Sequence, residues 1–227
     1  KEKSLINLSV SNTHYISNVL RIREKQKLSI FNGFQGEWEG IIKNLNKKKS
    51  LILIDKQIKK QEEENLINII YVPIKGHRNY YLIEKITELG VSNIYPIISE
   101  HSVIKKFNYK RANTCAIAAS QQSGRLSVPK IHEFRSLKSI LSSWNKKDQI
   151  IFCDETEKKF FFNDLFKSES KKKINTILIG PEGGFSLSEK TFLKNLNYIY
   201  GLTLGKRILR ADTAAISALT LLIDKKI

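Results

Sequence analysis

The sequence predicts an α/β protein in which a small β-barrel precedes a domain built on a largely parallel sheet. Three observations carry that prediction. From about residue 68 onward, apolar runs of strand length alternate with segments of helical period. Residues 1–70 instead hold short apolar runs divided by turn-forming stretches, with few helical signals. Hydrophobic residues make up 41% of the 227, which is enough to fill real cores and excludes wholesale disorder. The expected domains are a barrel over 1–70 and an α/β domain over 71–227.

In the first domain the strand-like runs are Lys27–Phe31, Trp38–Ile42 and Leu51–Ile54. Turn chemistry separates them at Asn32-Gly33-Phe34-Gln35-Gly36 and at Asn44–Ser50. The acidic run Glu62-Glu63-Glu64 lies near the boundary. Asn68–Val72 then reads as a buried strand. Asn79–Leu89 has helical spacing, with Leu82, Ile83, Ile86 and Leu89 on one side and Gly90 placed to end it. A strand over Ile94–Ile98 and a helix over Tyr109–Ser123 follow. Gln149–Cys153, Thr176–Ile179 and Tyr198–Leu204 supply three more strands, and Asp212–Ile223 an Ala-rich last helix. The polar stretch Ser168–Lys173 reads as a mobile loop.

Lys and Arg number 39 against 22 Asp and Glu, a net charge of +17. Such a surplus suits a polyanionic partner, because each cation placed on a phosphate releases condensed counterions. A Lys-rich composition gives the same surplus without any partner, and only eight of the basic residues are Arg. No apolar run reaches the roughly 18–20 residues of a membrane span. Lys1-Glu2-Lys3-Ser4 leads into no signal-peptide core. Cys115 and Cys153, 38 positions apart, form neither a disulfide framework nor a metal-type pair. A soluble, cytoplasmic protein is the expectation.

Ile179-Gly180-Pro181-Glu182-Gly183-Gly184-Phe185-Ser186 is the strongest local feature. It lies between a strand and a helix, and Ser186-x-x-Glu189 is a capping box. Its glycines let the main chain approach a planar heterocycle or an anion closely, although a plain strand-to-helix turn would also use them. Neither a P-loop nor a Gly-x-Gly-x-x-Gly spacing is present. Leu204-Gly205-Lys206-Arg207-Ile208-Leu209-Arg210 occupies a second strand-to-helix connection, as a ligand loop or as a solvated basic loop. Lys85–Val91, Ser99–Ser102 and Gln121–Arg125 place further polar residues at element ends. The histidines have no companions at metal-ligand spacing, so no metal is expected. There is no Gly-x-Ser-x-Gly elbow and neither Cys has a local His, so covalent catalysis has little support.

Together, Glu84–Val91, Gln122-Ser123-Gly124-Arg125-x-x-Val128-Pro129, Gly180–Phe185 and Leu204–Ala214 resemble the RsmE family in order and spacing. Its members are 16S ribosomal RNA uridine-N3 methyltransferases of the SPOUT, or α/β-knot, superfamily. His14-Tyr15-x-x-Asn18-Val19-Leu20-Arg21 and Phe31-Asn32-Gly33 resemble its PUA-like RNA-binding barrel. The resemblance implies a carboxy-terminal trefoil knot, a homodimer whose interface includes the Ala-rich last helix, and S-adenosylmethionine as cofactor. It implies a cofactor site at Ile179, Gly180, Glu182, Gly183, Gly184, Leu204, Gly205, Ile208 and Leu209, with a third loop around Asp154-Glu155. Arg210 is the first candidate for stabilising the anion that develops on the target base, and Glu182 a candidate base. Arg21, Arg23, Lys75, Arg78, Lys85 and Arg125 are candidate phosphate contacts for 16S ribosomal RNA within the small subunit. Three positions and one segment depart from the family pattern: His101 stands in place of Arg, Gln121 in place of Glu, Asp212 in place of Glu, and Glu24–Lys27 in place of a Gly-Asp turn.

Overall fold

The computed structural model describes residues 2–46, 50–154 and 173–224, with only the backbone of Lys173 included. The expected loop over 168–173 therefore lies, but for that backbone, outside the described residues. The chain divides between Glu63 and Glu64. The strand over 68–71, which spans the 70/71 boundary drawn from sequence, belongs wholly to the second unit.

The first unit is a four-stranded antiparallel sheet in the order β1 (Leu5–Asn7), β4 (Ser50–Lys59), β3 (Glu37–Leu45), β2 (Lys27–Phe31). Ile42 and Ile52 form its buried centre with Ile16, which comes from a helical insertion that the sequence pattern did not show. That insertion is α1 (Val10–His14) and a wider π-type turn over Tyr15–Val19. Ser9 starts it by accepting the Asn12 N–H at 3.2 Å.

The second unit is a parallel sheet in the order β11 (Ile199–Leu202), β9 (Asp148–Cys153), β10 (Lys173–Ile179), β5 (Asn68–Tyr71), β6 (Asn93–Ile98), β7 (Lys130–Ile131), with β8 (Arg135–Ser136) also on β6. Both faces are covered, which is why its strands read as unbroken apolar runs. On one face Ile69, Tyr71, Ile177 and Ile179 pack against α2 (His77–Glu88), α3 (Tyr109–Ser123) and α6 (Ala211–Asp224). On the other, Ile70, Phe152 and Leu178 pack against α4 (Leu137–Ser142) and α5 (Leu187–Lys194). Gly90 adopts φ +81° immediately after the Leu89 cap of α2, as its placement in the sequence implied. None of the described helices is long and apolar enough to cross a membrane.

One glycine matters for the first unit. Gly36 has φ +75°, and a Cβ there would run into the Lys59 carbonyl and the Gln61 amide. Gly36→Ala combines left-handed strain with a backbone collision, so a loss of at least about 2 kcal/mol is expected. Thermal unfolding followed by circular dichroism checks this; a midpoint unchanged from wild type would refute it.

Candidate active site

Because the sheet is parallel, the carboxyl ends of β9, β10 and β11 open on one edge, where α/β folds place their ligands. Asp154, the turn 180–186 and the connection 203–210 meet there around a cleft of about 460 Å³. Ile179, Gly180, Glu182, Gly183, Gly184, Ile208, Leu209 and Arg210 all line it. Leu204 and Gly205 line an adjoining recess of about 50 Å³ together with Cys153, Asp154 and Arg207. Glu155 lies outside the described residues.

The glycine turn is held from several sides. The Gly184 N–H donates to the Pro181 carbonyl at 2.8 Å, and Gly184 itself adopts φ +70°. The Phe185 ring lies against Gly180 so closely that a Cβ there would stand 3.1 Å from it. Phe185 in turn meets Phe152 edge-on, with ring centroids 5.4 Å apart. Ser186 and Glu189 form the expected capping box at the start of α5. The other oxygen of Glu189 accepts the Glu100 N–H at 2.9 Å, and His101 Nδ1 donates to the Gly184 carbonyl at 3.0 Å. His101 thus supports the turn through its backbone. Burial in the floor pushes the Cys153 thiol up to about 12, so it is no nucleophile at neutral pH.

Arg78 is the main departure from the sequence reading. Its Nε and Nη2 donate to the two oxygens of Asp212 at 3.0 and 2.6 Å, and its Nη1 to Glu182 at 2.7 Å. This guanidinium joins the first turn of α2 to the glycine turn and to the start of α6, and is not left free for a phosphate. Arg125 is corrected likewise: its side chain is 7% exposed, and its donors go to Glu64 and to the Thr87 and Val91 carbonyls. Lys85 sits between Glu84 and Glu88, whose hydrogen bonds raise its pKa. Arg21, Arg23 and Lys75 are exposed as expected.

Two features escaped the sequence reading. Lys190 reaches back to Asp154 at 3.0 Å, and both side chains line the cleft. Only the position of Asp154 at the end of an apolar strand signalled it, and nothing signalled Lys190. The other is the direction of the Ala face of α6, the helix expected to form part of a dimer interface: that face turns inward, while Leu221 of the same helix is exposed. Ala211, Ala215 and Ala218 are buried within the chain, in the core that α6 forms with α2 and β10.

A second cavity, of about 440 Å³, lies among the amino ends of β5, β6 and β9, lined by Asn68, Asn93, Tyr95, His132 and Trp144. It has no glycine turn, and the ion pair in its lining, Arg135 with Glu133, is loose at 3.9 Å, so the slightly larger cleft at the carboxyl ends is the better active-site candidate.

Comparison with known proteins points the same way. An RNA methyltransferase domain model matches residues 61–223, and an RNA methyltransferase PUA domain model matches residues 8–55. This chain belongs to that RNA methyltransferase family, of the RsmE type. Ribosomal RNA small subunit methyltransferase E of Rickettsia conorii is 31% identical over 96% of this chain and 89% of its own length. The Buchnera aphidicola (Schizaphis graminum) protein of the same name is 35% identical over the same shares. Among solved structures, the Neisseria gonorrhoeae ribosomal RNA small subunit methyltransferase E bound to S-adenosyl methionine aligns with a TM-score of 0.84 at 25% identity, covering 98% of this chain and 92% of the other. A Legionella pneumophila putative methyltransferase in complex with SAM aligns at 0.85 and 27% identity, covering 99% and 93%.

Hydrogen bonds from Arg78 hold the Asp212 carboxyl below its ordinary range, with burial opposing them. Its carboxylate therefore stabilises the fold above the usual Asp value of about 4, and that contribution is lost as pH falls through the lowered value. Arg78→Ala is expected to cost about 1–2 kcal/mol at neutral pH, since three charge-assisted bonds at a partly solvated site are lost. The difference between variant and wild type should shrink as pH falls below about 4. Urea unfolding at pH 7 and pH 3 measures it; equal differences at both would contradict the clamp.

Proposed function

We propose that the protein transfers a methyl group from S-adenosylmethionine to N3 of a uridine in 16S ribosomal RNA of the small subunit. The observation that carries this is the glycine-turn cleft of an RsmE-type chain, at the edge of the sheet expected to hold the cofactor. The lining suits that cofactor. Ile179, Ile208 and Leu209 offer apolar faces to a planar ring, the turn 180–184 offers main-chain groups, and no side chain at Gly183 or Gly184 obstructs approach. When bound, the cofactor supplies an electrophilic sulfonium methyl. The turn and the 204–210 connection then hold the reactants in line, the main source of acceleration available to such a site.

Arg210, exposed at the cleft, is assigned to stabilise negative charge developing on O2 or O4 as N3 loses its proton. Glu182 is assigned to accept a hydroxyl or amine of the cofactor. Its carboxylate already accepts from the Arg78 guanidinium at 2.7 Å, an anchored geometry that suits holding a ligand group better than the role of base. Arg21, Arg23 and Lys75 are assigned to phosphates, with the amino-terminal unit as an RNA-binding module. The reading includes a trefoil knot in the second unit, a cytoplasmic location and a homodimer whose interface includes the exposed side of α6.

Labelled S-adenosylmethionine and small subunits lacking the modification test the reaction directly. Nucleoside analysis should show 3-methyluridine; any other methylated nucleoside would overturn the proposal. Arg210→Ala should lower kcat by about 10²–10³-fold while cofactor affinity stays near wild type. Normal turnover in that variant would remove Arg210 from its role. Arg21→Ala and Arg23→Ala should each weaken RNA binding uniformly across sequences and reduce the salt slope by about 1. Titrations at three salt concentrations decide this.

A further inference from the structure

Among the described residues Phe34 is the most exposed aromatic, at 84%, yet it sits on one of the most firmly built turns in the first unit. Asn32 Oδ1 accepts the Phe34 and Gln35 N–H groups at 3.1 and 3.0 Å, and Asn32 Nδ2 donates to Gln35 Oε1 at 2.7 Å. The Gln35 carbonyl accepts Trp38 Nε1 and Gln57 Nε2, both at 2.8 Å. Gly36 N donates across to Gln61 Oε1 at 3.2 Å. Six hydrogen bonds thus fix a turn whose outermost group is a phenyl ring in water. The tip gains almost nothing from burial within its own unit, so its apolar surface stays available to a partner.

The surroundings narrow what the ring is for. Asn32 and Gln35 of the same turn line a cavity of about 160 Å³ whose other walls include Phe31, Trp38 and Ile54. That is below the roughly 300 Å³ at which pockets accept whole drug-sized ligands, and suits one flat ring system with amide groups at its edge. Beyond the turn, β4 carries exposed Lys56 and Lys59, with Lys60 directly following; Lys59 pairs with Glu62 at 3.2 Å. Glu37, Trp38 and Glu39, which follow the turn, are paired in register with Lys59, Gln57 and Lys56. Flat aromatic surface, amide edges and neighbouring ammonium groups are the combination that binds unpaired nucleotides, the rings stacking on bases and the cations following phosphates.

We infer that the β2–β3 turn is a binding site for unpaired bases of the RNA substrate, with Phe34 stacking on one base. This rests on the RNA-modifying reading above and goes beyond it in naming the site and the form of RNA it takes. The rigid turn means that little ordering accompanies binding, so the stacking energy appears directly in affinity.

The test is binding of full-length protein to transcribed small-subunit ribosomal RNA and to a short single-stranded RNA, by anisotropy at fixed salt. Phe34→Ala should weaken both by about tenfold. The salt slope should not change, since no phosphate contact is removed. Phe34→Trp should restore affinity, and cofactor affinity and thermal midpoint should be unaffected in both variants. Unchanged RNA affinity in Phe34→Ala would overturn the inference while leaving the methyltransfer reading intact. So would a change confined to sedimentation, which would make Phe34 a contact between copies of the chain. Wild-type protein that binds neither RNA would overturn both.

Discussion

The Arg78 guanidinium meets Asp212 with two nitrogens and Glu182 with a third, joining positions 134 and 104 residues apart in the chain. The cleft depends on this contact. Glycine turns place main-chain atoms well but resist displacement poorly, because glycine adds no side chain to lock the backbone. A planar donor that bridges two carboxylates supplies the missing stiffness. It also fixes where α6 begins, and hence where the 204–210 connection must end.

From the opposite side the turn is held by Glu189 and His101. Glu189 spends one oxygen on its own helix terminus and the other on the Glu100 backbone. His101 binds the Gly184 carbonyl. Side chains from α2 and from the loop 99–102 therefore support the turn 180–184, while its cleft-facing surface keeps mostly backbone and small residues. That division fits a reaction in which alignment matters more than proton-shuttling side chains.

Much of this was legible in the sequence, because strand-length apolar runs and glycine-rich connections report local backbone needs. The capping box at Ser186 and Glu189, the glycine after α2 and the bounds of α3 could be read from a few adjacent residues. The partners of Arg78 and Arg125 could not. A basic residue at an element end has the same local pattern whether it faces a phosphate or a carboxylate 61 to 134 residues away. The helical insertion over 10–19 was missed for a related reason. It is short, has no apolar stripe, and its one buried hydrophobic residue, Ile16, gains meaning only against Ile42 and Ile52. The small face of α6 allowed close approach to another element or to a second subunit, and it packs in the chain's own core.

The net charge of +17 suggests a uniformly cationic molecule, yet the cleft is not cationic. Among the described residues its ionisable lining holds two acidic groups, Asp154 and Glu182, and two basic ones, Lys190 and Arg210; Lys190 pairs with Asp154, and Arg78 with both Glu182 and Asp212. A strongly positive cleft would repel a sulfonium cofactor, and a strongly negative one would repel the RNA that must reach it. A balanced lining meets both demands. The surplus charge then lies outside the cleft, where it can raise the local concentration of a polyanion without setting which base reacts. Under this division, affinity and its salt dependence come from dispersed lysines and arginines, while selectivity comes from shape and stacking. Removing a surface lysine and reshaping the cleft should therefore be separable in effect, since they act on different steps of recognition.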